Sequence, residues 1–137
     1  MVKKISEENF AVLNSSVDIT LAASATTDGM DIAIQFKDPN GNPLNKVVQT
    51  EVWISESALG IDLTADTYSG DVTVVTGTEV QEITSKKRFV VLSDATGLVE
   101  MLAVASANPT DQYIAVRHPA TGAVIVSGAS GTNWEGV

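Results

Sequence analysis

The chain has 137 residues, with eight basic and 17 acidic side chains, a formal net charge of −9 and no cysteine. This length fits one domain, and the lack of cysteine excludes disulfides, thiolate metal sites and a cysteine nucleophile. The negative charge predicts repulsion from phosphate backbones, so we expect no nucleic-acid partner. No run reaches the ~18 apolar residues of a membrane span, and Glu7 to Asn9 stand where a secretion signal would be apolar. We therefore expect no membrane partner and no secretion signal.

Residues 1–30 are predicted to form an N-terminal arm that ties the protein to a partner. Ser6 to Asn9 offers a capping residue and an acidic first turn for a short helix. Residues 17–21 alternate apolar and polar side chains, which predicts a short strand, and residues 22–29 resemble a linker. The arm is thus a short helix or an extended strand. Its apolar side chains are candidate interface residues: Phe10, Leu13, Val17, Ile19 and Leu21.

Residues 31–130 have the pattern of short strands separated by turn residues at intervals of roughly 8–12 positions. The predicted strands are 31–37, 47–55, 71–75, 79–84, 89–93, 98–105, 111–117 and 123–127. A parallel α/β fold needs crossover helices, for which there is no room. We therefore predict an all-β, antiparallel, immunoglobulin-like sandwich of about seven to eight strands, followed by a polar tail at 131–137.

The two tryptophans are further candidate interface residues. Trp53 lies on a predicted strand whose other face carries Val52 and Ile54, which places it in the core or half-buried at an interface. Trp134 lies in the polar tail, where it either anchors a neighbouring protein, as aromatic hot-spot residues do, or folds back on its own domain. The sequence leaves both alternatives open for Trp134.

The sequence offers few groups for catalysis, so we predict no enzyme, no catalytic residue and no cofactor. His118 is the only histidine, and its place in a turn indicates an exposed side chain rather than a catalytic base. Asp38, Asn40 and Asn42 have the spacing that opens a calcium loop, but Pro43 and Gln49 stand where glycine and glutamate are required. We therefore interpret this segment as a tight turn and predict no metal site.

Two further features of the sequence are charged. The carboxylate pairs Glu79 with Glu82 and Asp62 with Asp66 are interpreted as solvated surface rather than as acid–base pairs. Residues 86–88, the one basic cluster, form either a contact for an acidic partner or a solvated loop that guards the aggregation-prone residues 89–92.

Several segments, taken in order, resemble a group of bacteriophage head-associated immunoglobulin-like proteins. Residues 34–44 resemble their opening strand and D-x-x-G-N-P-L turn, and residues 52–57 resemble their second strand. Residues 93–98 resemble their T-D-x-x-G turn, and residues 111–128 resemble their closing hairpin. The resemblance covers roughly residues 31–130.

This resemblance implies a structural protein of the virion, made in the host cytoplasm and placed on the capsid surface. It implies a capsid decoration protein that binds the outer face of the major capsid protein as a small homo-oligomer, a dimer or trimer. It carries over no catalytic residues. The alternative is an immunoglobulin-like adhesion module of a tail or fibre, which binds a carbohydrate or receptor on the cell surface. Only 5% of the chain is aromatic, which is little for a sugar-binding platform.

Overall fold

A computed structural model describes residues 12–65, 68, 72–105 and 111–136. The chain is all-β, as predicted, and every strand pair is antiparallel. The strands are β1 Ser16–Ala23, β2 Gly29–Lys37, β3 Gln49–Ser55, β4 Thr73–Thr76, β5 Thr78–Thr84, β6 Arg88–Leu92, β7 Leu98–Val104, β8 Tyr113–Arg117 and β9 Val124–Val126. In these described residues, no helix is long and apolar enough to cross a membrane.

The strands form two sheets. One sheet has the order β1-β2-β7-β4, and the other has the order β5-β6-β3-β8-β9. The first order corresponds to the A-B-E-D sheet of an immunoglobulin domain, in which the second sheet contains C, F and G. The chain order differs in the middle, because β4 is followed by β5 and β6 of the other sheet before β7 returns. The neighbour relations are therefore immunoglobulin-like, and the central connections are not.

The core lies between the two sheets, where alternate residues of each strand point inward. The largest fully buried side chains of the two sheets include Phe36 on β2 and Phe89 on β6. Full burial of such a side chain contributes about 1.5–3 kcal/mol relative to exposure. The other core residues on strands are Met30, Ile32, Ile34, Val52, Ile54, Val91, Val99, Met101, Ala103, Ile114 and Val116.

The first described strand belongs to the sandwich and not to a separate arm. β1 pairs with β2 along its whole length, from Ser16 opposite Lys37 to Ala23 opposite Met30. The sandwich therefore begins at Ser16, and the predicted arm boundary at residue 30 is wrong. Sequence missed this because the predicted linker at 22–29 contains the end of β1, a tight connection at 24–28 and the start of β2. The helix predicted from Ser6 onward lies mostly outside the described residues, although residues 12 and 13 are helical.

The C-terminal segment folds back and connects the two sheets. The Ser130 amide donates to the Gln112 carbonyl, and the Glu135 amide donates to the Gly29 carbonyl, at 2.7 and 2.8 Å. Trp134 is only 2% exposed and stacks on Tyr68, with ring centroids 6.0 Å apart. Of the two alternatives for Trp134, the structure has the second, so the residue is a core residue and not an interface candidate.

Candidate functional site

Trp53 lies on the outer face of the five-stranded sheet. Its neighbours Val52 and Ile54 point into the core, so the alternation of β3 directs the indole outward. The side chain is nevertheless only 5% exposed. An outward-facing tryptophan that is covered this well must be enclosed by other parts of the chain, and two arginines and one loop enclose it.

The arginines come from the strands on either side of β3. Arg88 on β6 lies directly opposite Trp53, and its guanidinium carbon is 5.2 Å from the ring centroid. Arg117 on β8 places its guanidinium carbon 5.3 Å from the same centroid. Both distances fit a cation–π contact. Glu51, two residues before Trp53 on the same face, forms ion pairs with Arg88 and, at 3.7 Å, with Arg117.

The loop that follows β3 covers the edge of the indole. The indole Nε1 donates a hydrogen bond to the Gly60 carbonyl at 2.9 Å. Gly60 has φ +68°, and a Cβ there would lie 2.9 Å from Val126 Cγ2 and 3.1 Å from Ala115 Cβ. Only glycine satisfies both the left-handed backbone and the close approach to β8 and β9. This residue therefore holds the loop against the sheet.

A groove of about 220 Å³ runs between the loop and the arginines, lined by Trp53, Gly60, Ile61, Leu63, Arg88, Arg117 and Val124. Ile61 at its rim is 73% exposed, Val124 is partly exposed, and Leu59, which precedes Gly60 in the same loop, is 71% exposed. The charged residues that line the groove are Arg88 and Arg117, which both pair with Glu51, and the exposed Asp62 lies in the adjoining loop. We call this groove and its rim the Trp53 face.

The Trp53 face has the composition of a binding hot spot. Tryptophan and arginine are enriched at the residues that dominate protein–protein binding energies, and an apolar rim excludes water from their contacts. The arginine side chains remain about one-third to two-fifths exposed, so their exposed N–H groups can reach a partner. Two guanidinium groups already cover the indole, so the ring does not offer a bare stacking surface to a sugar.

The structure separates the interface residues predicted from sequence. Val17, Ile19 and Leu21 lie together on β1, half-buried against the core of their own domain. Leu13 is 39% exposed just before β1, and Phe10 lies outside the described residues. Trp53 is on the opposite sheet and Trp134 is in the core. These residues therefore do not form one surface.

His118 is not the exposed turn residue that sequence predicts. It is 6% exposed, and its Nδ1 accepts hydrogen bonds from the amides of Ala120 and Thr121, both at 3.2 Å. Because Nδ1 accepts, the neutral ring carries its proton on Nε2, which lies 3.0 Å from the Ser15 carbonyl. His118 thus fastens the start of β1 to the β8–β9 turn, a contact between distant residues that local sequence cannot reveal.

The Asp38 segment forms the predicted turn. One carboxylate oxygen of Asp38 accepts the amides of Asn40 and Asn42, at 2.9 and 3.0 Å, so the turn itself uses the spacing that resembles a calcium loop. In the parts of the chain that the structure describes, no three His, Cys, Asp or Glu side chains form a group that could hold a metal ion.

The carboxylate pairs occupy exposed positions. Glu79 and Glu82 are exposed on β5 and line an open cleft of about 530 Å³ together with Lys86. Asp62 is exposed, and Asp66 lies outside the described residues.

The basic cluster is engaged in the fold and is not a solvated loop. Lys86 donates to the Tyr68 carbonyl at 3.2 Å, and Lys87 donates to the Thr64 carbonyl at 2.8 Å. Arg88 pairs with Glu51 and covers Trp53.

Sequence reasoning missed Arg117, Glu51 and Gly60 as members of the site. The sequence signal for them was that a tryptophan pointing outward from a central strand must be shielded from water by other residues of the chain.

No family model, no curated protein and no solved structure matches the chain.

Proposed function

We propose that this protein is a non-catalytic structural protein that docks on another protein through the Trp53 face. The observation that carries the proposal is a tryptophan covered by two arginines, which a glutamate pairs with, beside a loop that carries exposed aliphatic residues. The sequence resemblance supports a virion as the setting, with the major capsid protein as the partner and capsid decoration as the role. The two partly exposed guanidinium groups of the face favour carboxylates on that partner.

The rim residue Ile61 gives the sharpest test, because it is 73% exposed and its replacement leaves the fold intact. We expect Ile61→Asp to weaken docking at least about tenfold, since the change removes an apolar side chain from the rim and places a carboxylate beside the two arginines. Val75→Asp is the matched control, because Val75 is similarly exposed, at 64%, but lies on β4 of the other sheet.

The measurement is co-sedimentation of the purified chain with capsid shells assembled without it, with bound copies counted per shell over a range of concentrations. We expect saturable binding, in a stoichiometry that fits the capsid symmetry, for the unchanged chain and for Val75→Asp. Failure of the unchanged chain to bind would overturn the capsid as partner. Equal binding by Ile61→Asp would overturn the Trp53 face as the docking surface.

The adhesion alternative makes a different prediction for the same reagents. An adhesion module would leave capsid shells empty and would retain glycans or whole host cells. The covered indole does not favour this alternative at the Trp53 face, because sugar stacking requires an open aromatic ring.

A further inference from the structure

We propose that β1 is a second binding site, which pairs edge to edge with β1 of a second copy of this chain. The two four-stranded sheets would then continue into one another across the dimer. This inference does not depend on the Trp53 face, because β1 belongs to the other sheet.

The argument begins with the four strands at the sheet edges. An open edge invites pairing with another chain, and proteins block it with short strands, bulges or inward-pointing charges. β9 has three residues, and β4 has four residues and a bulge. β5 is longer, but its register shifts twice, and Glu79 and Glu82 stand opposite the core residues Val91 and Phe89. These three edges are blocked.

β1 has none of these features. It is eight residues long, and its register with β2 runs without a shift from Ser16 to Ala23. It contains no proline, and its one charged residue, Asp18, points away from the core and pairs with Lys37 on β2. In the described part of the chain, no backbone hydrogen bond reaches the outer side of β1.

The hydrogen-bond alternation identifies the groups on the open edge. The Ser24 amide donates to the Gly29 carbonyl, so the even-numbered residues of this strand direct their backbone groups toward β2. Val17, Ile19, Leu21 and Ala23 therefore direct theirs outward. The side chains of the first three are only half-buried against the core. An added strand would pair these outward amides and add to the cover of the side chains.

A second copy of β1 fits this edge. In an antiparallel pair centred on Thr20, Ile19 lies opposite Leu21 of the second copy and Val17 lies opposite its Ala23. Each outward N–H then donates to an outward C=O of the second copy. Asp18 lies opposite Ala22, so no two carboxylates face each other. Across the pair, both copies then have their apolar side chains on the core face and their exposed side chains on the other face, which a continuous sheet requires.

Two properties of this dimer follow from its size and charge. A pair of strand edges buries less than the ~1,200 Å² of a standard interface, so we expect a weak dimer whose population depends on the protein concentration. Each copy carries a net charge of −9, so salt should strengthen the dimer by screening the repulsion between copies.

The test is sedimentation equilibrium of the full chain from about 1 to about 500 µM, at low and at high salt. Thr20→Lys places two lysines opposite each other at the centre of the pair, and we expect it to weaken the dimer at least about tenfold. Thr73→Lys is the matched control, because this residue is also an exposed threonine on an edge strand of the same sheet. We expect it to dimerise like the unchanged chain.

Amide hydrogen exchange tests the atoms directly. On dimerisation, the amides of Val17, Ile19 and Leu21 should become protected, whereas those of Asp18 and Thr20 are already protected in the monomer. A chain that stays monomeric at the highest concentration in high salt overturns the proposal. So does a dimer that Thr20→Lys leaves intact, or one that forms without protecting the outward amides.

Discussion

Truncation of Trp134 tests whether the C-terminal segment is part of the core. The side chain is 2% exposed and stacks on Tyr68, so Trp134→Ala removes a large buried aromatic group near the end of the chain. Such truncations cost about 3–5 kcal/mol. A domain of this size has a free energy of unfolding of about 5–15 kcal/mol, so roughly a fifth or more of its stability is at risk.

A second variant separates packing from hydrogen bonding at the same position. The indole Nε1 of Trp134 is buried and, among the described residues, has no hydrogen-bond acceptor. An unsatisfied buried donor costs about 1–3 kcal/mol, which Trp134→Phe would relieve while keeping an aromatic ring. We therefore expect the loss of apolar area and the relief of the donor to offset each other, and the phenylalanine variant to stay within about 1 kcal/mol of the unchanged chain.

Urea unfolding followed by far-ultraviolet circular dichroism measures both variants, because the signal does not depend on the tryptophan that is replaced. The midpoint should fall for Trp134→Ala with an unchanged dependence on urea concentration, which indicates lost stability within the same fold. A loss of unfolding free energy below about 1 kcal/mol would refute the reasoning, since truncating an aromatic side chain that is buried in the core costs more than this. Trp134 would then be available to a neighbouring protein, the alternative that the sequence left open.

Two further predictions concern the loops. Gly60→Ala should destabilise the fold by about 2–4 kcal/mol, because the new Cβ meets β8 and β9, and should shift the Trp53 fluorescence to the red. Gly122→Ala is the control, because this glycine has φ +74° with open space around it. We expect it to cost only the backbone strain of about 1 kcal/mol. At Asp94, hydrogen bonds from the Thr96 hydroxyl and from the Leu98 and Thr96 amides lower the pKa below its ordinary value of 3.8. The charged carboxylate therefore stabilises the fold above pH 3.8, and this stability is lost as the pH falls through the lowered pKa. The difference in urea midpoint between the unchanged chain and Asp94→Asn should be full near neutral pH and should shrink below about pH 4. A constant difference across this range would contradict the assignment.

Local sequence patterns predicted the strands and turns well, for identifiable reasons. Asp38 and Asp94 begin turns in which a carboxylate binds amides two and four residues onward, and such contacts can be read within a few positions. Alternation likewise placed Val52 and Ile54 on the core face and Trp53 on the other.

The contacts that sequence could not predict join residues that are far apart in the chain. His118 binds Ser15, which is 103 residues away, and Arg117 reaches Trp53 only because β8 lies beside β3. The order of strands in each sheet decides these contacts, and no turn or periodicity encodes it. Trp134 is a third example, since a polar tail gives no sign that its one aromatic residue fills the core.

The two proposed surfaces make a joint prediction. A dimer formed through β1 would carry two Trp53 faces, because the β1 edge and the Trp53 face belong to different sheets. Two linked faces bind a repeating surface more tightly than either one does alone. On capsid shells, Thr20→Lys should therefore raise the concentration needed for half-saturation at least about tenfold while leaving the number of copies at saturation unchanged. Ile61→Asp should weaken each face even in the dimer. A Thr20→Lys curve that overlays that of the unchanged chain would show that the faces bind singly, and would leave the β1 dimer without a role on the shell.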